Sequence, residues 1–186
     1  MALTGHRLTA QEYLALPLDE YRFTQLIDGE VVVNQPSVRH QEITLFIARR
    51  LVDWIEAGPS RGQAGIPVDA VLDERNVFAP DVWWVAQEHR PARDARGLDG
   101  PPDLAVEVGS PSTWRYDVGA KKATYERVGL AELWLVDTEA ESVLVFRRSP
   151  PTASSFDVAL ELGSGEALTS PLLPGFSLPV AELFDR

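Results

Sequence analysis

A chain of 186 residues can bury one sizeable core, and its apolar share of 45% belongs to a soluble globular protein. A formal net charge of −11 excludes nucleic-acid binding driven by bulk charge, so any such contact needs a metal ion or a local basic patch. The absence of cysteine excludes a disulfide framework, a thiolate metal site and a thiol nucleophile.

The opening stretch, MALTGHRLTAQEYLAL, lacks the apolar core and small-residue cleavage site of a secretory leader. No apolar run approaches the roughly 20 residues that cross a bilayer. The expectation is a soluble cytoplasmic protein forming a single domain over residues 1–186. Within the opening stretch, LTAQEYLAL predicts a short helix, with Thr9 as N-cap and Glu12 completing a capping box. FTQLIDGEVVVNQP predicts two strands joined by a turn at Asp28-Gly29. From Val38 to Glu56 the apolar positions Ile43, Phe46, Ile47, Leu51, Trp54 and Ile55 recur at helical spacing, and Gly58-Pro59 ends the helix.

Strand-like runs follow in IPVDAVLD, APDVWWVAQ and, after the polar loop EHRPARDARGLDGPP, in PDLAVEVGS. Trp83 and Trp84 alternate across their strand, so one is expected in the core and the other against a partner subunit. Arg90, Arg93 and Arg96 read as a solvated loop, with contact to a nucleic-acid backbone as the alternative. A helix is expected over 112–128, begun by Ser112 or Thr113 and stopped by Gly129. ELWLVDTEAESVLVFRR predicts a β-hairpin turning at Thr138-Glu139-Ala140, and FDVALEL one more strand. The order gives an α/β (α+β) fold, a mixed sheet flanked by helices.

Two acids in this frame need an explanation. Asp81 opens the apolar run Val82 to Val85, and Glu107 lies inside Leu104-Ala105-Val106-Glu107-Val108. An unpaired carboxylate in an apolar strand costs several kcal/mol, so buried acids are paired, bind metal or do chemistry. Asp81 can be a cap at the start of its strand, and Glu107 can be half of a buried ion pair. Glu107 shares its strand face with the small residues Ala105 and Gly109, which leaves room beside the carboxylate.

The following helix carries a related signal. On a regular helical wheel, Trp114, Val118, Tyr125 and Val128 form one apolar stripe with Lys121 in its middle. Lys121 therefore points toward the sheet that holds Glu107, unless its head snorkels out to water. Asp117, four residues earlier, can pair with it. Lys121 and Lys122 are the two lysines in a chain whose other fifteen basic residues are arginines. Two carboxylates on neighbouring strands can hold one hard cation through oxygen, and a nearby lysine can orient a water. That set suffices for phosphodiester hydrolysis. The scattered histidines lack zinc-site spacing, and neither a Gly-rich phosphate loop nor a GxSxG elbow is present.

APDVWWV, PDLAVEVGSPST, Asp117-x-x-x-Lys121-x-x-x-Tyr125 and GLAELWLVD, in that order, resemble the Uma2 family, also called DUF820, of the PD-(D/E)xK nuclease superfamily. The resemblance runs from about Tyr21 to the LPGFSLPVAELF ending. It implies a restriction-endonuclease-like core, Asp81 and Glu107 as Mg²⁺ ligands (Mn²⁺ substituting), Lys121 as the catalytic lysine, DNA as substrate and a homodimer. The superfamily often places its lysine two residues after the glutamate, where this chain has Gly109. Gln25 stands where the family usually has a glutamate, which weakens cation binding at that position, and His40 matches a family histidine near the start of the long helix. His40 can contact a phosphate or shape the site, or it can make only local hydrogen bonds. A catalytically weak or inactive nuclease-derived binding module, or a structural homo-oligomer, is the alternative reading.

Overall fold

The computed structural model describes residues 7–17, 23–110 and 113–185. Chain order begins with α1 (Ala10–Leu14), β1 (Thr24–Ile27), β2 (Glu30–Val33) and α2 (Val38–Glu56). Next come β3 (Gln63–Gly65), β4 (Ala70–Asp73), β5 (Asn76–Phe78), β6 (Val82–Val85), β7 (Leu98–Asp99) and β8 (Leu104–Val108). Helix α3 follows in three consecutive pieces: α-helical Trp114–Tyr116, π-helical Asp117–Lys121 and α-helical Lys122–Arg127. The chain closes with β9 (Glu132–Asp137), β10 (Ser142–Arg147), β11 (Val158–Leu162), β12 (Ala167–Leu168), β13 (Leu178–Pro179) and α4 (Ala181–Phe184).

The expected mixed α/β architecture is present, with its strands divided between two sheets and a short β12–β13 pair. One sheet runs β2-β1-β5-β4-β7, the other β11-β10-β9-β8-β6-β3. In the second sheet β8 pairs antiparallel with β6 and parallel with β9. A parallel neighbour demands a crossover, and α3 supplies it. Strands β6 and β8 are buried at every position, so they read as continuous apolar runs rather than alternating ones. The interruptions at Asp81 and Glu107 are therefore placed in a dry environment.

The β1–β2 turn follows from its sequence. Asp28 and Gly29 both take positive φ, 50° and 79°, the geometry that lets a two-residue hairpin match strand twist. Gly29 is required twice, because a Cβ there would lie 2.8 Å from the Cβ of Arg7. Ser37 caps α2 by accepting the His40 N–H at 3.2 Å. The buried face of α2 is His40, Ile43, Thr44, Ile47, Ala48 and Leu51, so the apolar stripe begins with a histidine. Phe46, Trp54 and Ile55 pack at the margin of the same core.

Two expectations change. Both tryptophans of β6 are buried: Trp84 lies in the main core, with its indole N–H on the Arg61 carbonyl at 2.8 Å. Trp83 lies over Gly65 and donates to the Ile66 carbonyl at 2.8 Å. The exposed tryptophan that supported a partner-facing surface is therefore absent. Val118, expected in the apolar stripe, is exposed, whereas Asp117, four residues before Lys121, is buried. The π-turns from Asp117 to Lys121 shift the phase of α3 at this point. Thr113 stands at the N-cap position of α3, as expected, without a side-chain cap bond; Ser112, the alternative, lies outside the described residues. The short strands β3, β5 and β7, of three or two residues, carry no readable period.

Glu132, at the start of β9, is a further fully buried acid. Arg147 binds it at 2.7 and 3.1 Å, Trp134 Nε1 at 2.6 Å and Ser170 Oγ at 2.8 Å. This network ties the C-terminal tail to the sheet. Glu132→Ala is expected to cost about 3–5 kcal/mol, because three donors lose their acceptor and the guanidinium its counter-charge. Equilibrium urea denaturation reads this directly.

Candidate active site

The backbone brings Asp81 and Glu107 together. Val82 pairs with Val106 across the antiparallel β6–β8 ladder, which puts Asp81 beside the Glu107–Val108 end of β8. The Val108 N–H donates to Asp81 Oδ2 at 2.8 Å, fixing the carboxylate against its neighbouring strand. His40 Nε2, reaching in from the first turn of α2, lies 3.2 Å from the same oxygen. Thr44 Oγ1 sits 3.5 Å from His40 Nδ1, one turn along. His40 thus contacts Asp81, and both are buried.

Helix α3 closes the site from the other side. Lys121 Nζ lies 2.5 Å from Glu107 Oε2 and 3.2 Å from Asp117 Oδ1. Lys121 is 3% exposed, so its ammonium does not snorkel; it ends in the interior. The alternative of a buried ion pair at Glu107 is thus realised, with Lys121 as partner. The Tyr125 hydroxyl, one helical turn on, donates to Glu107 Oε1 at 2.7 Å. Gln25 on β1 accepts the Ala79 N–H through its side-chain oxygen at 3.2 Å, holding the segment that leads into Asp81.

Gln25, Asn34, Asp81, Glu107, Asp117 and Lys121 line one small cavity of about 10 Å³, enough for about one water. Asp81, Glu107 and Lys121 are thus assembled in one place, with Gln25 on the same wall and His40 one contact behind. Arg90, Arg93 and Arg96 belong to the exposed loop after β6; Arg90 and Arg93 line a separate, larger cavity of about 670 Å³.

Charge does not balance within the cluster. Two buried carboxylates, Glu107 and Asp117, share the Lys121 ammonium, and a third, Asp81, lies against His40. Burial pushes Glu107 up to about 8; Lys121 opposes this, while Asp117 and Asp81 add to it. Burial also raises Asp117, again against the pull of Lys121. Burial alone would lower Lys121, but Glu107, Asp117 and Asp81 outweigh it and hold the ammonium above its ordinary value. Tyr125 is raised by burial and by Glu107, so its hydroxyl stays a donor. The cluster is short of positive charge, which is the condition a divalent cation relieves.

The donor set suits a hard cation, since Asp81 and Glu107 offer carboxylate oxygens on rigid strands. Among the described residues no three His, Cys, Asp or Glu side chains form a ready cage. A cation here would rest on two carboxylates, with water or substrate oxygens completing its shell.

From the sequence, Tyr125 has a place in the apolar stripe and in the Asp117-x-x-x-Lys121-x-x-x-Tyr125 segment, but no role in the site. Its signal was available: a tyrosine four residues beyond an inward lysine, facing a strand that carries an acid. Tyr125→Phe would leave Glu107 Oε1 without its donor. The expected cost is about 1–3 kcal/mol of stability, checked by urea denaturation.

Comparison with known proteins gives the family and a fold match. A family model described as "Uma2: Putative restriction endonuclease" matches residues 10–181. No curated protein matches the chain. Among solved structures the chain is similar to a protein from Anabaena variabilis ATCC 29413, described as a "putative nuclease belonging to DUF820". The TM-score is 0.77 at 18% identity, over 96% of this chain and 98% of that one. At that identity the likeness establishes the fold, while the family match spans nearly the whole sequence. The chain belongs to the Uma2 family.

Proposed function

We propose that this protein is a Mg²⁺-dependent endonuclease that hydrolyses DNA phosphodiester bonds. The observation that carries the reading is the meeting of Asp81, Glu107 and Lys121, from two strands and a helix, in one pocket. The family's description as a restriction endonuclease supports DNA as the substrate. Asp81 and Glu107 would hold the cation, and when bound it supplies Lewis-acid stabilisation of a phosphate under attack. Mn²⁺ fills the same role.

The chain's own groups do the rest. Val108 N–H and His40 fix Oδ2 of Asp81, whose carboxylate lines the cavity. Tyr125 fixes Oε1 of Glu107. Lys121, held as an ammonium, is a donor rather than a base: it orients the attacking water and stabilises negative charge on the phosphate. Such fixed partners avoid reorganisation when charge develops. The reading includes a homodimer, whose two sites would address the two DNA strands.

A second reading has its own support. The cluster is nearly filled by its own side chains, and Gln25 spends its carboxamide oxygen on a backbone N–H. A catalytically weak, nuclease-derived binding module would have these features. Calorimetric titration of Mn²⁺ into the wild-type protein and Glu107→Gln, with and without a short DNA duplex, separates the two. Binding that disappears in the variant supports the nuclease; no binding under any condition leaves the second reading.

A further inference from the structure

Resting on the cation-binding reading above, we infer that cation binding at Asp81 and Glu107 is an exchange in which Lys121 leaves Glu107 and is received by Asp117. The geometry requires such a partner. Glu107 has two oxygens: Oε1 takes the Tyr125 hydroxyl, and Oε2 lies 2.5 Å from the Lys121 ammonium. The ammonium thus holds the oxygen that a cation would use. A divalent ion and an ammonium side by side on one carboxylate repel each other strongly in a buried pocket.

The ammonium cannot swing to solvent, since its side chain is 3% exposed. Asp117 Oδ1 already lies 3.2 Å from Nζ, one helical turn away and equally buried. A small rotation transfers the ammonium from one carboxylate to the other without desolvating it anew. Asp117 is therefore a positioning residue that acts through Lys121, not a ligand. Asp117 and Lys121 bound the π-helical segment and both are buried, while Val118 between them is exposed. The exchange also accounts for a lysine rather than an arginine at this position. A point charge on a flexible stem changes partner freely, whereas a planar guanidinium fork locks onto one carboxylate.

The chain suits a direct test because Lys121 and Lys122 are its two lysines. Lys122 Nζ sits 4.5 Å from the centroid of the Phe146 ring and serves as an internal reference. The experiment is NMR of the full chain labelled with ¹⁵N and ¹³C at lysine, titrated with Mg²⁺ and compared with Mg²⁺ calorimetry. The expected result is a shift of the Lys121 ε-CH₂ and Nζ signals with the calorimetric midpoint, while Lys122 stays still. Asp117→Asn should weaken Mg²⁺ binding several-fold, and should do so far less in a Lys121→Met background, because its effect runs through the ammonium. Mg²⁺ binding that leaves the Lys121 signals unmoved would overturn the exchange alone. So would an Asp117→Asn penalty of equal size with and without Lys121, which is a plain charge effect. No Mg²⁺ binding by the wild-type protein would overturn both the exchange and the cation reading beneath it.

Discussion

Glu107→Gln is expected to abolish Mn²⁺ binding and to lower nicking of supercoiled DNA by at least about a thousandfold. The magnitude follows from losing a charged ligand: about 4 kcal/mol of transition-state stabilisation, at 1.36 kcal/mol per factor of ten. The loss would not come from unfolding. Glutamine keeps the side chain's shape and can still accept from Tyr125 or Lys121. It also removes one of three carboxylates from a cluster with an excess of negative charge, and Lys121 keeps Asp117 as counter-charge. Unchanged far-UV circular dichroism and a urea midpoint no lower than wild type at pH 8 would accompany the loss. Wild-type cleavage rates in Glu107→Gln would remove Glu107 from the chemistry altogether.

The second large effect concerns pH. Burial raises Glu107 to about 8, from 4.5 in an unfolded chain. Between these values the folded protein keeps a proton that the unfolded chain has released. Stability therefore falls as pH rises from about 4.5 to about 8, and Asp117, also raised by burial, adds to the slope. Lys121 contributes nothing to this slope, since its stabilisation is lost only above its ordinary value of 10.5. The fall is on the order of a few kcal/mol for the cluster. Two controls identify its source. Glu107→Gln should flatten much of the slope, and Mg²⁺ should reduce it in the wild type by supplying the missing positive charge. Urea midpoints across this pH range, with and without Mg²⁺, are the measurement; a flat wild-type profile would contradict the charge imbalance.

Both effects originate in two carboxylates legible in the sequence, one at the entry to an apolar strand and one within another. Asp81 and Glu107 stood out because a carboxylate is costly in a dry strand, and Lys121 because it broke an apolar helical stripe. These are one-dimensional signals: strand runs, helical period and burial cost operate within a short window of sequence. The helix over 38–56, the Asp28-Gly29 turn and the β9–β10 hairpin were legible for the same reason.

What the sequence determined by itself was thus the inventory: a mixed α/β chain, two buried acids, an inward lysine and a set of segments that resemble one family. How these groups contact one another depended on the folded chain. That His40 touches Asp81, that Tyr125 holds Glu107 and that Gln25 spends its oxygen on Ala79 depend on strand register and on the packing of distant elements. The same holds for the division into two sheets and for the burial of both Trp83 and Trp84, because covering each sheet face is a decision of the whole core. Val118 is the clearest case. A regular helix would place it in the apolar stripe; the π-turns between Asp117 and Lys121 leave it exposed, a phase shift that no helical wheel foresees.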